Sequence, residues 1–260
     1  MVSGTFTIPL NEENHAEQLD RLDQAFILRS FIGGHENELV RWSLKELSNP
    51  ASQVNPLTFY GPTSTGKTTL LSGLEHCWTE ATGETALLTN GVDFDRAYAY
   101  ALETGAVAEF RDKFRRHGLV IIDDLHLLND KPAVQQEFTN LLDWRIKAGA
   151  PLVLALNTSP IELTGLSEGL VSRIAGGVLI PLQLPTSNTR RAILDQLLKQ
   201  ANLDFSVEVR EAIAGQQPAL ESPFCTVPEI RHAVLELQHK AEDTCSPPSL
   251  DDVTSLINRE

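Results

Sequence analysis

The chain has 260 residues, 42% of them hydrophobic, with a formal net charge of −14, enough for one large domain or two modest ones, each with a core. The acidic balance argues against broad electrostatic attachment to nucleic acid or to an anionic membrane, while leaving room for a local basic patch. No apolar run approaches the roughly 20 residues of a membrane span, and the N-terminus lacks a basic-then-apolar signal pattern. Cys77, Cys225 and Cys245 are scattered, without C-x-x-C or metal-ligand spacing. Such usage suits reduced thiols, so a cytoplasmic setting is expected.

In chain order, residues 1–22 are polar and acidic and read as a segment outside the fold. A mixed stretch with Phe26, Phe31 and Gly33-Gly34 precedes a helix pattern through Leu39, Leu44 and Leu47. Apolar runs predict strands at 57–60, 85–89, 118–123, 151–156 and 177–182. Amphipathic patterns between them predict helices that include 67–80, 93–103, 106–116 and 133–148. Strands alternating with helices indicate a parallel sheet covered on both faces. After Pro181 and Pro185 the strand patterns cease and three or four helices follow. One carries Ile193, Leu194, Leu197 and Leu198 on a single face, one runs from Val227 to Leu237, and one from Leu250 to Ile257. The expected organisation is an α/β domain over 23–182 and an all-helical domain over 183–260.

Residues 61–68 read Gly-Pro-Thr-Ser-Thr-Gly-Lys-Thr, a complete G-x-x-x-x-G-K-[ST] loop between a strand, Leu57 to Tyr60, and a helix with Leu70, Leu71 and Leu74. Gly61 and Gly66 let the backbone curl with its N–H groups turned inward, which makes an anion nest at the positive end of the following helix. Lys67 is expected to reach the β/γ-phosphates of a nucleotide, and Thr68 to offer a hydroxyl to Mg²⁺. ATP or ADP with Mg²⁺ is therefore the expected ligand set.

The run Leu119-Val120-Ile121-Ile122 ends in Asp123-Asp124. It is too short for a helix and rich in branched residues, so it reads as a buried parallel strand. Ligands of such sheets lie beyond the carboxyl ends of the strands. Asp123 is the candidate for holding Mg²⁺, and Asp124 for orienting or activating the attacking water. Asn157 ends the strand Leu152–Leu156. It reads either as a hydrogen-bonding group for a γ-phosphate or the lytic water, or as a turn-forming residue before Thr158-Ser159-Pro160. Arg173 is open to two readings, a structural ion pair or a guanidinium offered to a neighbouring subunit's ATP. Arg111, Lys113, Arg115 and Arg116 form the dense basic cluster; a solvated helix end is the favoured reading, with weak DNA contact the alternative. His76 and Cys77 point about 100° apart on a helix, so packing explains them better than metal binding.

Together these residues resemble the AAA+ ATPases, and in detail the DnaA/Hda family of bacterial replication initiators and their shorter relatives. The likeness covers nearly all of residues 23–257. Phe31-Ile32-Gly33-Gly34 with Asn37 looks like the family's adenine-pocket segment, which implies nucleotide contacts for Ile32, Gly33 and Asn37. Asn55-Pro56-Leu57 enters the phosphate loop as in the family, and the loop Gly61, Pro62, Thr63, Ser64, Thr65, Gly66, Lys67, Thr68 and Thr69 aligns as the Walker A segment. Asp93-Phe94 through Arg115 is similar to the initiator-specific helices. Ile122 to Leu128 resembles Walker B with its double Asp, and Gln135-Gln136-Glu137-Phe138 the helix after it. Asn157 stands at sensor 1, Ser172-Arg173 in the arginine-finger segment, and Thr189-Arg190 opens the lid. The resemblance implies a five-stranded parallel αβα domain, a small helical lid with ATP between the two, and a slow intrinsic ATPase. Lys67, Asp124 and Asn157 would serve hydrolysis, and Arg173 would act in trans.

Departures from the family bear on function. The chain stops at Glu260, where initiators continue into a DNA-binding domain. At the sensor 2 stretch, Thr226-Val227-Pro228-Glu229-Ile230, Pro228 replaces the arginine, and Arg231 is the nearest basic residue. On the family's single-strand-binding surface stand Asp95, Lys131 and Ala133, one cation and one opposing carboxylate. The favoured expectation is a regulatory ATPase that contacts an initiator or a copy of itself. A DNA-assembling initiator or helicase-loader module, and a nucleotide-binding interaction protein with little turnover, are the alternatives.

Overall fold

The computed structural model describes residues 26–47, 54–217, 224–244 and 246–258. They fall into two compact units. Of the described residues, the first comprises 28–31 and 39–182, the second 26–27, 32–38 and those from 183 onward. A short hairpin opens the described chain, with β1 (Phe26–Leu28) beside β2 (Phe31–Gly33), and α1 (Glu38–Leu47) follows.

The first unit is built on β3 (Leu57–Tyr60), β4 (Ala86–Asn90), β5 (Leu119–Asp123), β6 (Leu152–Leu156) and β7 (Val178–Pro181) in the order β4-β5-β6-β3-β7, with every pairing parallel. The helices between them are α2 (Lys67–Thr82), α3 (Gly91–Thr104), α4 (Val107–Arg115), α5 (Pro132–Ala148) and α6 (Glu168–Ala175). β5 and β6 are buried along their whole length, as their unbroken branched apolar sequence demands of central parallel strands. Within the adjoining core the Phe94 ring meets Phe110, Phe114 and Phe138 edge-on at centroid distances of 5.3, 5.0 and 5.4 Å. Strand ends lie within a residue of those expected. The hairpin and α6 are additions that the periodicity did not delimit.

Two side chains without an apolar signal fix the entry to this sheet. Asn55 donates to Ala150 O and accepts from Leu152 N, which ties the chain before β3 to the start of β6. Arg145 is fully buried, and its five N–H···O bonds go to the carbonyls of Phe114, His117, Gly118 and Pro151. The guanidinium thus closes the end of α4 and the entries to β5 and β6. Burial pulls its pKa down to about 10, so it remains charged at neutral pH.

In the second unit α7 (Ser187–Ala201), α8 (Val207–Ala214), α9 (Val227–Thr244) and α10 (Leu250–Ile257) enclose a core of Leu194, Phe205, Val209, Ile213, Ile230, Leu237 and Val253. Residues 32–38, expected with the α/β domain, group here instead. The reason is local bonding. Ile32 belongs to this core, Asn37 exchanges two hydrogen bonds with the backbone of Gln183, and Glu36 accepts from Thr186 and Thr189. Pro228 occupies the first turn of α9, where a missing N–H costs nothing. Among the described residues, no helix is long and apolar enough to cross a membrane.

Replacing Arg145 by Met should leave several carbonyls unsatisfied and lower stability by about 2–4 kcal/mol. Urea unfolding followed by circular dichroism would read this as a lower midpoint at unchanged slope.

Candidate nucleotide site

Because β3, β5 and β6 are parallel neighbours, the residues after Tyr60, Ile122 and Leu156 emerge at one end of the sheet. The loop after β3 is held at both sides. Gly61 N donates to Leu156 O, and a Cβ on Gly61 would stand 2.3 Å from Leu182 O, so no larger residue fits. Ser64 and Gly66 take positive φ of 65° and 92°, the alternation that turns successive N–H groups toward one point. Thr65 braces the curl by donating to Pro62 O at 2.9 Å. α2 begins at Lys67 and directs its N-terminus at the same point.

Lys67 is 7% exposed, and its ammonium donates to Gly61 O at 2.7 Å and Pro62 O at 2.6 Å. Burial lowers its pKa, against the opposing pull of Asp123 and Asp124. Thr68 Oγ1 donates to Asp123 Oδ2 at 2.6 Å, and Asp124 N donates to Asp123 Oδ1 at 2.8 Å. A hydroxyl and a carboxylate oxygen thus stand together beside a phosphate cradle, the hard-oxygen donor set that Mg²⁺ takes when it also binds phosphate and water. The residues fit that ion. Asn157, just past β6, has a buried Oδ1 with no hydrogen-bond partner, a group waiting for a donor such as water.

Asp124 is half-exposed and adopts the left-handed conformation, φ 47° and ψ 43°. Beyond it, Leu125–Leu128 forms a 3-10 turn that carries His126. Burial lowers the His126 pKa, Asp124 and Asp123 raise it, and Lys67 lowers it further. The sequence placed His126 within the Walker B-like stretch but gave it no role of its own. Its proximity to Asp124 depends on this turn, which apolar periodicity does not report.

The other expected residues have these surroundings. Arg173 on α6 gives Nε to Asp143 Oδ1 at 2.6 Å and a second N–H to Gly169 O, and remains 40% exposed. Arg111 makes a two-pronged bond to Glu137, at 2.7 Å for each prong, so its charge is met within the chain. Arg115 stacks over Trp144 and Lys113 over the Phe114 ring. Lys131 pairs with Asp95 at 2.7 Å. Ile32, Gly33, Asn37 and Arg231 belong to the second unit, with Arg231 exposed one turn into α9.

Lys67→Ala should abolish the rise in thermal midpoint that millimolar Mg–ATP gives the wild type, about 3 kcal/mol of linkage at a hundredfold excess over Kd. Differential scanning fluorimetry with and without nucleotide measures it.

Comparison with known proteins identifies the family. The family model of the bacterial DnaA ATPase domain matches residues 22–181. The chromosomal replication initiator protein DnaA of Aquifex aeolicus is 33% identical over 199 residues, 76% of this chain and 49% of the relative. The chain spans about half the length of the curated relatives it matches. Among solved structures, domain III of the Thermotoga maritima initiator superposes with a TM-score of 0.76 at 22% identity, covering 89% of this chain and 95% of that one. A DnaA bound to AMPPCP and single-stranded DNA superposes with a TM-score of 0.72 at 29% identity, covering 84% and 67%. The fold is the AAA+ fold of the initiator's ATPase domain, and the chain belongs to the bacterial DnaA ATPase-domain family.

Proposed function

We propose that the chain binds Mg–ATP and hydrolyses it slowly as part of the control of chromosomal replication, and that it acts through protein contacts with an initiator or with another copy of itself. The observation that carries the nucleotide half is the Thr68–Asp123 contact at the mouth of the phosphate loop. Thr68 and Asp123 would hold Mg²⁺, which when bound neutralises charge on the β- and γ-phosphate oxygens. Loop N–H groups and Lys67 bind the phosphates and meet the negative charge as the γ-phosphoryl transfers to water. Asp124 accepts the proton of that water, and Asn157 orients it. The products are ADP and phosphate.

The protein-directed half rests on how the cations are used. Of the basic residues open to a nucleic-acid reading, Arg111 is committed to Glu137 and Lys131 to Asp95, so each phosphate contact there would first have to break an internal pair. Arg173, by contrast, sits half-exposed on a short helix with one carboxylate partner, a position from which it could exchange Asp143 for a neighbour's phosphate. A DNA-assembling role is the second reading. It is favoured by the exposed end of α4 with Lys113, Arg115 and Arg116, and by the single-stranded DNA in the related DnaA complex.

Asp124→Asn should keep ATP affinity within about threefold and slow single-turnover hydrolysis by roughly a hundredfold or more. An unchanged rate would remove Asp124 from the chemistry. Fluorescence anisotropy of single-stranded oligonucleotides in low salt decides between the readings. No binding at micromolar protein is expected. ATP-dependent binding that weakens with salt would favour the DNA-assembled module.

A further inference from the structure

Asp124 holds a backbone conformation that non-glycine residues seldom adopt, φ 47° and ψ 43°. Aspartate enters this region more readily than most residues, and two neighbours stand against Asp124 there, neither belonging to the phosphate loop or to the Thr68–Asp123 pair. Gly91, the first residue of α3, packs so closely that a Cβ on it would stand 2.7 Å from Asp124 O and 3.5 Å from Asp124 C. His126 turns its Nδ1 toward the side chain of Asp124, 3.9 Å from Oδ1. That nitrogen is buried and has no hydrogen-bond partner. A buried polar atom left in this state calls for a reason, and the carboxylate oxygen 3.9 Å from it belongs to the candidate water-activating residue.

We propose that Gly91 and His126 are positioning residues for hydrolysis, Gly91 fixing the Asp124 backbone and His126 setting the direction of its carboxylate. The inference rests on the reading of Asp124 given above. With its proton on Nδ1, the imidazole donates to Asp124 Oδ1 once a shift of about 1 Å closes the gap, a tightening common when substrate enters a site. One carboxylate oxygen is then tethered and the other is left to take the proton from water. At the helix start, the Asp124 carbonyl takes the place where a Cβ of residue 91 would stand, so a larger residue there would push it out of position. Asp95, one turn further along α3, bonds to Lys131 beyond the 3-10 turn, so α3 and the turn hold together on either side of Asp124.

The test compares ATP affinity, from fluorescent-nucleotide titration, with the single-turnover hydrolysis rate at saturating Mg–ATP, both on the full chain. His126→Ala is expected to keep Kd within about twofold and to slow hydrolysis about tenfold. His126→Gln, whose amide N–H can reach the same oxygen, should recover most of the loss. In an Asp124→Asn background the His126→Ala change should alter the residual rate little, because the group it aims is gone. Gly91→Ala should show the same split; should that variant fail to fold, the His126 series alone decides. Wild-type hydrolysis by His126→Ala, or an equal further loss in the Asp124→Asn background, would overturn the proposal. A wild-type chain that binds ATP and never hydrolyses it would instead refute the reading of Asp124 itself, and is recognised before any variant is compared.

Discussion

The 2.6 Å hydrogen bond from Thr68 to Asp123 joins residues 55 positions apart, and the parallel sheet makes it possible. β3 and β5 flank β6 and run the same way, so the loop after one and the carboxylates ending the other open at a common edge. With that edge fixed, the rest of the site follows from short-range chemistry. Positive φ at Ser64 and Gly66 curls the loop, α2 starts inside it, and Lys67 folds back onto the loop's own carbonyls. Local strain at Ser64 and Asp124 is offset by the cooperative packing of a sheet whose central strands are wholly buried.

Helix α5 links this edge to its surroundings. Gln135 donates to Leu128 O and Gly165 O and accepts from Ser167 N, which clips the turn after Asp124 to the segment entering α6. One turn of helix carries Glu137, which holds α4 through Arg111, and further along the same helix Asp143 holds Arg173 and Arg145 gathers four carbonyls from the opposite end of the sheet. The elements nearest the carboxylates and the helix bearing Arg173 therefore share a single support. The turn after Asp124 is thus tied to the start of α6 through one buried amide that makes three hydrogen bonds.

Much of this was legible in the sequence because the informative features are local. The phosphate loop is contiguous, its flanks switch from strand to helix pattern, and Asp123-Asp124 ends an apolar run of the right length. The parallel α/β fold followed from the alternation of elements. What escaped was everything decided by contacts between distant residues. Arg145 looks like one more cation on a helix, yet the fold buries it completely. Gly91 carries no motif, and His126 lies in the Walker B-like stretch without a role of its own there; their closeness to Asp124 shows only in three dimensions. The Asp143 partner of Arg173 is likewise encoded by no spacing, and both readings of that guanidinium stay open beside it. Residues 32–38 read as part of the α/β domain because they precede it in the chain; the bonds of Asn37 to Gln183 and of Glu36 to Thr186 and Thr189 carry no signal in the sequence.

The central claim is that the Thr68–Asp123 pair is a cation seat which makes a phosphate cradle into a hydrolytic site. Calorimetric titration of ATP into the wild type and into Thr68→Val, each in Mg²⁺ and in EDTA, tests it most directly. The account expects Mg²⁺ to tighten ATP binding to the wild type by about tenfold or more, and expects that gain to vanish in Thr68→Val while affinity in EDTA stays the same. An equal gain in both proteins would contradict it, and would mean that the cation is held by the nucleotide without help from this pair.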